Sequence, residues 1–311
     1  QRRVQRLMVS SKIPKVLSIA GSDPSGGAGI QGDIKTIFAE SCYGMAAITG
    51  MTAQNTLGVK AVIAVPDDFL RMQLDAVICD IIPDAVKIGM ISEPSHVKII
   101  VEMIDKYKLR NVITDPVIAP TSGVRFAHDE VLVNMIDYLF PASTLVTPNI
   151  PEAQTIVRAI LDKRSRAAGE PVSAHKGELP ASELTPSEMA ELIGCHCDCS
   201  VLVKGGHSAD GEATDCMWHK GELSIFRGRR IAAMSSHGTG CALSSSIASN
   251  LAKGESLAAA VQIAKAHVTA AIAGNMSIGS GNGSIDHEAI LQQQRIQQDT
   301  INILERKPEE R

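Results

Sequence analysis

From Lys15 onward the chain repeats one pattern: a short apolar run, a turn of small or polar residues, then an amphipathic stretch. VLSIAG leads to GIQGDIKTIFAE, AVIAV to DDFLRMQLDAVICDI, and AVKIGM to the stretch around VKIIVEMIDKYK, while MAAITGMTAQN, NVITDP and TLVTPN add further runs. Runs of four to six apolar residues without strict alternation suit strands covered on both faces, and the amphipathic stretches suit their helical covers. The rhythm predicts an α/β fold with a doubly wound, mostly parallel central sheet and helices on both faces. Two late stretches, CALSSSIASNLAKG and ESLAAAVQIAKAHVTAAIAG, are expected helices whose small residues permit close packing.

A single domain is expected over residues 15–285, with a flexible extension at 1–14 and a helical tail fraying through 286–311. With 44% hydrophobic residues in 311, one full core is within reach. Residues 162–184 are polar, carry Pro171 and Pro180, and read as a mobile surface excursion.

Composition also excludes partners. A net charge of −4 gives no general attraction to nucleic acid or acidic membranes, and the arginines at 2, 3 and 6 and at 227, 229 and 230 lack interleaved aromatics. Apolar runs stop well short of the roughly 18 residues of a membrane span. Seven scattered cysteines in a chain of this size read as reduced thiols, so the cytoplasm is the expected compartment.

In such sheets ligands lie beyond the carboxyl ends of the strands, and the loops there are rich in chemistry. Gly27, Gly29 and Gly32 match the G-x-G-x-x-G dinucleotide fingerprint, which would make the chain an NAD-dependent dehydrogenase. The second strand, however, ends without the acid that holds the ribose, and SDPSG is long for a pyrophosphate turn. A Walker A loop fails because Gly27 and Ala28 stand at its Lys and Ser/Thr places. The loop instead puts Asp33 about one turn into a helix with room for a compact ligand.

The later HGTGCALSS is the stronger signal. Gly238, Thr239 and Gly240 open a helix whose free N–H groups can hold a phosphoryl group. The same helix start is expected to lower the pKa of Cys241 and so supply a thiolate base toward a hydroxyl. Asp115, Asn149 and Glu152 offer hard oxygens suited to Mg²⁺, and Lys204 at a strand end can meet a transferred phosphate. Each has an ordinary alternative: a small buried Cys, an N-cap with a first-turn acid, a lysine reaching for water. CHCDC, with Cys195, Cys197 and Cys199, invites a metal but lacks the second ligand pair of a structural zinc site, so a helix-to-strand connector is expected.

Taken together, AGSDPSGGAGIQGDIKTI, TAQNT, KIGM, DPV, TPNIPEA, VLVKGGH and HGTGCALSS resemble, in this order, the hydroxymethylpyrimidine/phosphomethylpyrimidine kinases of thiamine biosynthesis, in the ribokinase-like superfamily. The resemblance runs from about Lys15 to Gly283. It implies ATP- and Mg²⁺-dependent phosphorylation of 4-amino-5-hydroxymethyl-2-methylpyrimidine to the monophosphate and then the diphosphate, by a homodimer. It places Gly21, Asp33, Gln54, Met90 and Val117 around the pyrimidine, Asn149 and Glu152 at Mg²⁺, Lys204 at the phosphates and Gly238 to Cys241 at the anion hole. An amide at Gln54 suits the adjacent donor and acceptor of an aminopyrimidine edge. Pyridoxal kinases are the nearest rival, and the intact Gln54-Asn55-Thr56, Lys204-Gly205-Gly206 and Gly238 to Cys241 segments favour the pyrimidine.

Overall fold

The structure is a computed structural model that describes residues 13–118, 129–168, 181–205, 212–231, 237–274 and 276–305. Residues 1–12 of the expected extension at 1–14, the middle of the polar excursion (169–180), Gly206 and His207 lie outside the described residues.

Nine strands form one sheet among them: β1 (Lys15–Ser22), β2 (Tyr43–Asn55), β3 (Gly58–Ala64), β4 (Ala85–Ile88), β5 (Val112–Thr114), β6 (Leu145–Val146), β7 (Ser200–Val203), β8 (Glu212–His219) and β9 (Glu222–Arg229). Their order is β3-β2-β1-β4-β5-β6-β7-β8-β9, parallel from β2 to β7 and antiparallel at both edges. The mostly parallel, doubly wound sheet is therefore as the apolar runs predict. Winding reverses between β1 and β4, and such a switch point leaves a crevice at the carboxyl ends of the strands.

Side-chain alternation divides the core into two layers. Leu17, Ile19, Val86, Ile88, Val201 and Val203 face α2 (Asp67–Ile78), α3 (Pro94–Tyr107), α4 (Asp129–Asn134, continued by a π turn to Leu139), α5 (Ile150–Ala168) and α6 (Pro186–Cys197). Val16, Ile113, Leu145 and Leu202 face α1 (Gly29–Ala39), α7 (Thr239–Ala252), α8 (Leu257–Ala273) and α9 (His287–Glu305). Each fully buried Leu or Ile contributes about 1.5–3 kcal/mol, so packing rather than local propensity holds a strand as short as β6.

The hairpin of β8 and β9 is not marked in the run pattern, because it alternates instead of running continuously apolar. Lys220 (φ 50°) and Gly221 (φ 86°) make its tight turn with two left-handed residues. Asp215 of β8 accepts the Gly205 N–H at 3.0 Å and the Lys265 ammonium at 2.6 Å, tying the loop after β7 to α8. Residues 162–168 continue α5, and Cys195 and Cys197 occupy the last turn of α6, one exposed and one buried. Among the described residues no helix is long and apolar enough to cross a membrane.

Candidate active site

The loop after β1 folds around one carboxylate. Asp23 Oδ1 accepts the Ser25 N–H (2.9 Å) and hydroxyl (2.7 Å), and Oδ2 accepts the Ala28 N–H (2.9 Å). Those amides are therefore not turned toward a pyrophosphate, which removes the dinucleotide reading of Gly27, Gly29 and Gly32. Burial alone would raise Asp23, but bonds from His237, Ser25 and Ala28 outweigh it and hold the acid down to about 2.

α7 closes onto this loop. Gly238, its N-cap, has φ 88°, and a Cβ there would lie 1.9 Å from the Gly27 carbonyl oxygen. The two glycine clusters are thus in backbone contact, 211 residues apart in numbering (238 − 27). Thr239 and Gly240 form the first turn of α7. A Cβ on Gly240 would sit 3.4 Å from Lys204 Nζ and 3.5 Å from Asp115 Oδ2, so the cation from the β7 end faces the helix start.

Lys204 Nζ donates to Asp115 Oδ1 at 2.8 Å, and Thr147 Oγ1 donates to the same oxygen at 3.2 Å. Burial disfavours the Lys204 ammonium, but Asp115 and Glu152 more than offset this and raise its pKa. Asp115 is lowered against its own burial by Lys204 and Lys87. Beneath them Lys87 Nζ meets both oxygens of Asp33 at 2.8 Å, with both side chains fully buried. Ser18 and Ser245 donate to Asp33 at 2.6 and 2.9 Å. Lys87 is raised against desolvation chiefly by Asp33.

Two expectations change here. Asp33 does not line an open pocket: its oxygens are engaged by Lys87 and two serines, making it the interior counter-ion of that lysine. Nor is the Cys241 thiol acidified. Burial pushes it up to about 11, with Asp33 and Asp115 adding to the rise, against the opposing pull of Lys87 and the Gly29 N–H. The helix-start argument counted the favourable amides and omitted the cost of a buried thiolate beside two carboxylates.

Gly21 and Met90 meet at the switch point, where a Cβ on Gly21 would lie 2.3 Å from Met90 Cε. Val117 shares the loop of Asp115, to whose carbonyl its N–H donates at 2.9 Å. The Gln54 amide reaches His237 Nε2 at 3.3 Å, and the same nitrogen lies 2.9 Å from Asp23 Oδ2. The structure thus brings Gly21 against Met90, Gln54 against His237, and Lys204 with Asp115 against Gly240.

Asn149 and Glu152 form a reciprocal cap at the start of α5, each accepting the other's N–H at 2.9 Å. Asn149 Oδ1 thus accepts one hydrogen bond and keeps one lone pair. Glu152 is raised to about 7 by burial, with Lys204 opposing and Asp115 assisting. Asp115 Oδ2 and the Glu152 carboxyl fit a hydrated Mg²⁺, an ion that commonly keeps its waters and takes phosphate oxygens as ligands. Among the described residues no trio of His, Cys, Asp or Glu converges on a dry metal site.

Lys87, His237 and Asp23 touch the expected site residues and their loops, and the motif reading did not single them out. A lysine within the apolar run AVKIGM was the available signal, since a charge on a doubly covered strand requires a buried partner.

Fold and site together define an ATP-dependent small-molecule kinase of ribokinase-like build. The family profile described as phosphomethylpyrimidine kinase matches residues 23–286. A hydroxymethylpyrimidine/phosphomethylpyrimidine kinase of Rhizobium meliloti is 41% identical over 273 residues, covering 87% of this chain and 96% of that protein. The crystal structure of phosphomethylpyrimidine kinase from Clostridium difficile superposes with a TM-score of 0.64 at 38% identity, over 82% of this chain and 98% of that one. Pyridoxal kinase of Staphylococcus aureus, in complex with AMP-PCP and pyridoxal, superposes at 0.73 with 28% identity, over 89% and 94%. The chain belongs to the phosphomethylpyrimidine kinase family.

Proposed function

We propose that this chain transfers the γ-phosphoryl group of ATP to the hydroxymethyl oxygen of 4-amino-5-hydroxymethyl-2-methylpyrimidine, and then phosphorylates the monophosphate to the diphosphate, in thiamine biosynthesis. The observation that carries this reading is the contact of Gly238 with Gly27, with Lys204 facing Gly240. It sets the helix start and a partly buried cation beside the switch-point crevice where a compact ring fits.

In the first transfer the alcohol oxygen bonds to the γ-phosphorus, the bond to the β–γ bridging oxygen breaks, and ADP leaves. The amides of Gly238 to Cys241 and the Lys204 ammonium stabilise the charge spread over the migrating group. Gly21, Met90 and Val117 line the ring and Gln54 hydrogen-bonds its edge, while Asp33 holds Lys87 from below. Bound with ATP, Mg²⁺ neutralises charge on the phosphates, and Asp115 and Glu152 would hold it through water.

Cys241 Sγ accepts the hydroxyl proton once ionised, and its raised pKa makes that contribution pH-dependent. Because the ionised form acts, kcat/KM rises about tenfold per pH unit between 7 and 10, below a thiol pKa of about 11. Cys241→Ala should flatten this limb and lower kcat about a hundredfold with KM for ATP unchanged. An unchanged rate would leave Cys241 only its place in the anion hole.

ADP release measured with the pyrimidine alcohol, its monophosphate and pyridoxal tests the assignment: the first two are expected substrates, and no turnover of either refutes it. Pyridoxal is the second reading, supported by the likeness to the S. aureus enzyme.

A homodimer is the assembly supported by the outer face of β2 and β3, where Met51, paired with Ile63, and Leu57 at the hairpin tip all expose apolar side chains. Light scattering should give twice the chain mass, and Ile63→Lys should give the monomer. The seven cysteines are all unpaired, which supports a reducing compartment such as the cytoplasm.

A further inference from the structure

Gln54 does not stand alone in the crevice. In the structure its Oε1 lies 3.1 Å from Thr52 Oγ1 and its Nε2 3.3 Å from His237 Nε2. Thr52 Oγ1 also lies 3.0 Å from the Ser22 carbonyl oxygen, and His237 Nε2 lies 2.9 Å from Asp23 Oδ2. The two orientations of an amide have the same shape, and hydrogen-bond supply decides between them.

A carbonyl only accepts, so the single Thr52 hydroxyl proton goes to Ser22. Thr52 Oγ1 can then only accept from Gln54, and the amide nitrogen must stand on the Thr52 side. Independently, the Asp23 carboxylate only accepts, so His237 Nε2 carries a proton. That one proton is spent on Asp23 and leaves the nitrogen no lone pair, so an amide N–H facing it would meet only another N–H, and the oxygen stands there by exclusion. The opposite orientation asks one Thr52 proton to serve two acceptors and sets an amide N–H against an imidazole N–H. Both ends of the chain require the same orientation.

We infer that Thr52, His237 and Asp23 are positioning residues that lock the Gln54 amide, with its oxygen toward His237, and thereby decide which way round the pyrimidine binds. This rests on the substrate reading above. After its bond to Thr52, Gln54 keeps one N–H and the lone pairs of its oxygen. The N–H meets the ring nitrogen and the oxygen meets the amino group of the substrate, so the amino group lies on the His237 side. The hydroxymethyl group is on the carbon next to the amino-bearing one, whereas the methyl group is on the far side of the ring nitrogen. The locked amide therefore turns the reacting hydroxyl toward the Gly238 turn and the methyl away from it.

The sharpest probe is the 4-oxo analogue of the substrate, in which a ring N–H and a carbonyl replace the ring nitrogen and the amino group. It matches only the reversed amide. Wild type should prefer the aminopyrimidine over it by at least about a hundredfold in kcat/KM. Thr52→Val and His237→Phe should each lower that preference about tenfold and raise KM for the aminopyrimidine, leaving KM for ATP unchanged. Thr52 lies in β2, away from the anion hole, and so controls for damage at Gly238. His237→Gln, which restores an N–H, should recover the preference. If both variants turn over the aminopyrimidine with the wild-type preference intact, or lose only kcat, the lock is wrong. Wild type failing on the aminopyrimidine would instead remove the substrate reading itself.

Discussion

Gly238→Ala should reduce kcat/KM by about three orders of magnitude, the largest loss expected from adding a single methyl group to this protein. At φ 88° an alanine bears a left-handed strain of about 1–2 kcal/mol. Strain alone would only cost stability. The decisive factor is distance: the new Cβ would stand 1.9 Å from the Gly27 carbonyl oxygen and 3.0 Å from its carbon, both backbone atoms that cannot swing aside. The start of α7 must then retreat from the loop after β1, taking its amides away from the phosphoryl position. A displacement of about 1 Å in a preorganised site can cost a hundredfold, and here donors and cation lose their register together.

Gly254 separates the two effects. It also has a left-handed φ, 97°, but nothing lies within 4 Å of where its Cβ would be. Gly254→Ala should therefore lower Tm by a few degrees and leave kcat/KM unchanged. Steady-state ADP release and thermal melts of the two variants make the comparison. Wild-type kcat/KM in Gly238→Ala would mean that the turn does not approach Gly27 during the reaction.

That the chain announces this turn but not its surroundings has a physical basis. Continuous apolar runs mark the parallel strands because helices cover both faces, and HGTGC marks the anion hole because the chemistry lies in consecutive backbone amides. Lys87 and Asp33 stand 54 residues apart, and His237 and Asp23 stand 214 apart. Neither member of a pair states in its local context that the other will be there. Asp33 therefore reads as a pocket residue until Lys87 occupies both its oxygens. The Cys241 error is of the same kind: the favourable helix start is local in sequence, while the burial and the carboxylates that raise the thiol arrive from α1 and the β5 loop. β8 and β9 escape notice because a half-exposed hairpin carries a weaker apolar signal than a covered strand.

Acidification should destabilise the protein in part through Glu40, alongside Asp23 and Asp115, and removing the Glu40 carboxylate should be the most damaging change outside the crevice. Glu40 follows α1 and is fully buried. It accepts the Ser246 hydroxyl, Asn250 Nδ2 at 3.3 Å, Lys253 Nζ at 2.9 Å and His267 Nδ1 at 2.7 Å, joining α1 to α7 and α8. Burial opposes ionisation, yet His267, Lys253 and Ser246 prevail and its pKa is lowered. A depressed acid contributes stability that is present above the unfolded value of about 4.3 and lost as pH falls toward the folded pKa. Urea midpoints should accordingly decline below about pH 5. Glu40→Ala leaves Lys253 and His267 without their carboxylate and should cost about 3–5 kcal/mol at pH 7. Glu40→Gln keeps the shape but not the charge, so its midpoint should be lower at pH 7 and depend less on pH between 3 and 6. A Glu40→Gln curve merely displaced parallel to wild type would assign the acid limb to other carboxylates. Because Ser246 and Asn250 belong to the helix that begins at Gly238, this linkage also holds the anion hole against the loop it serves.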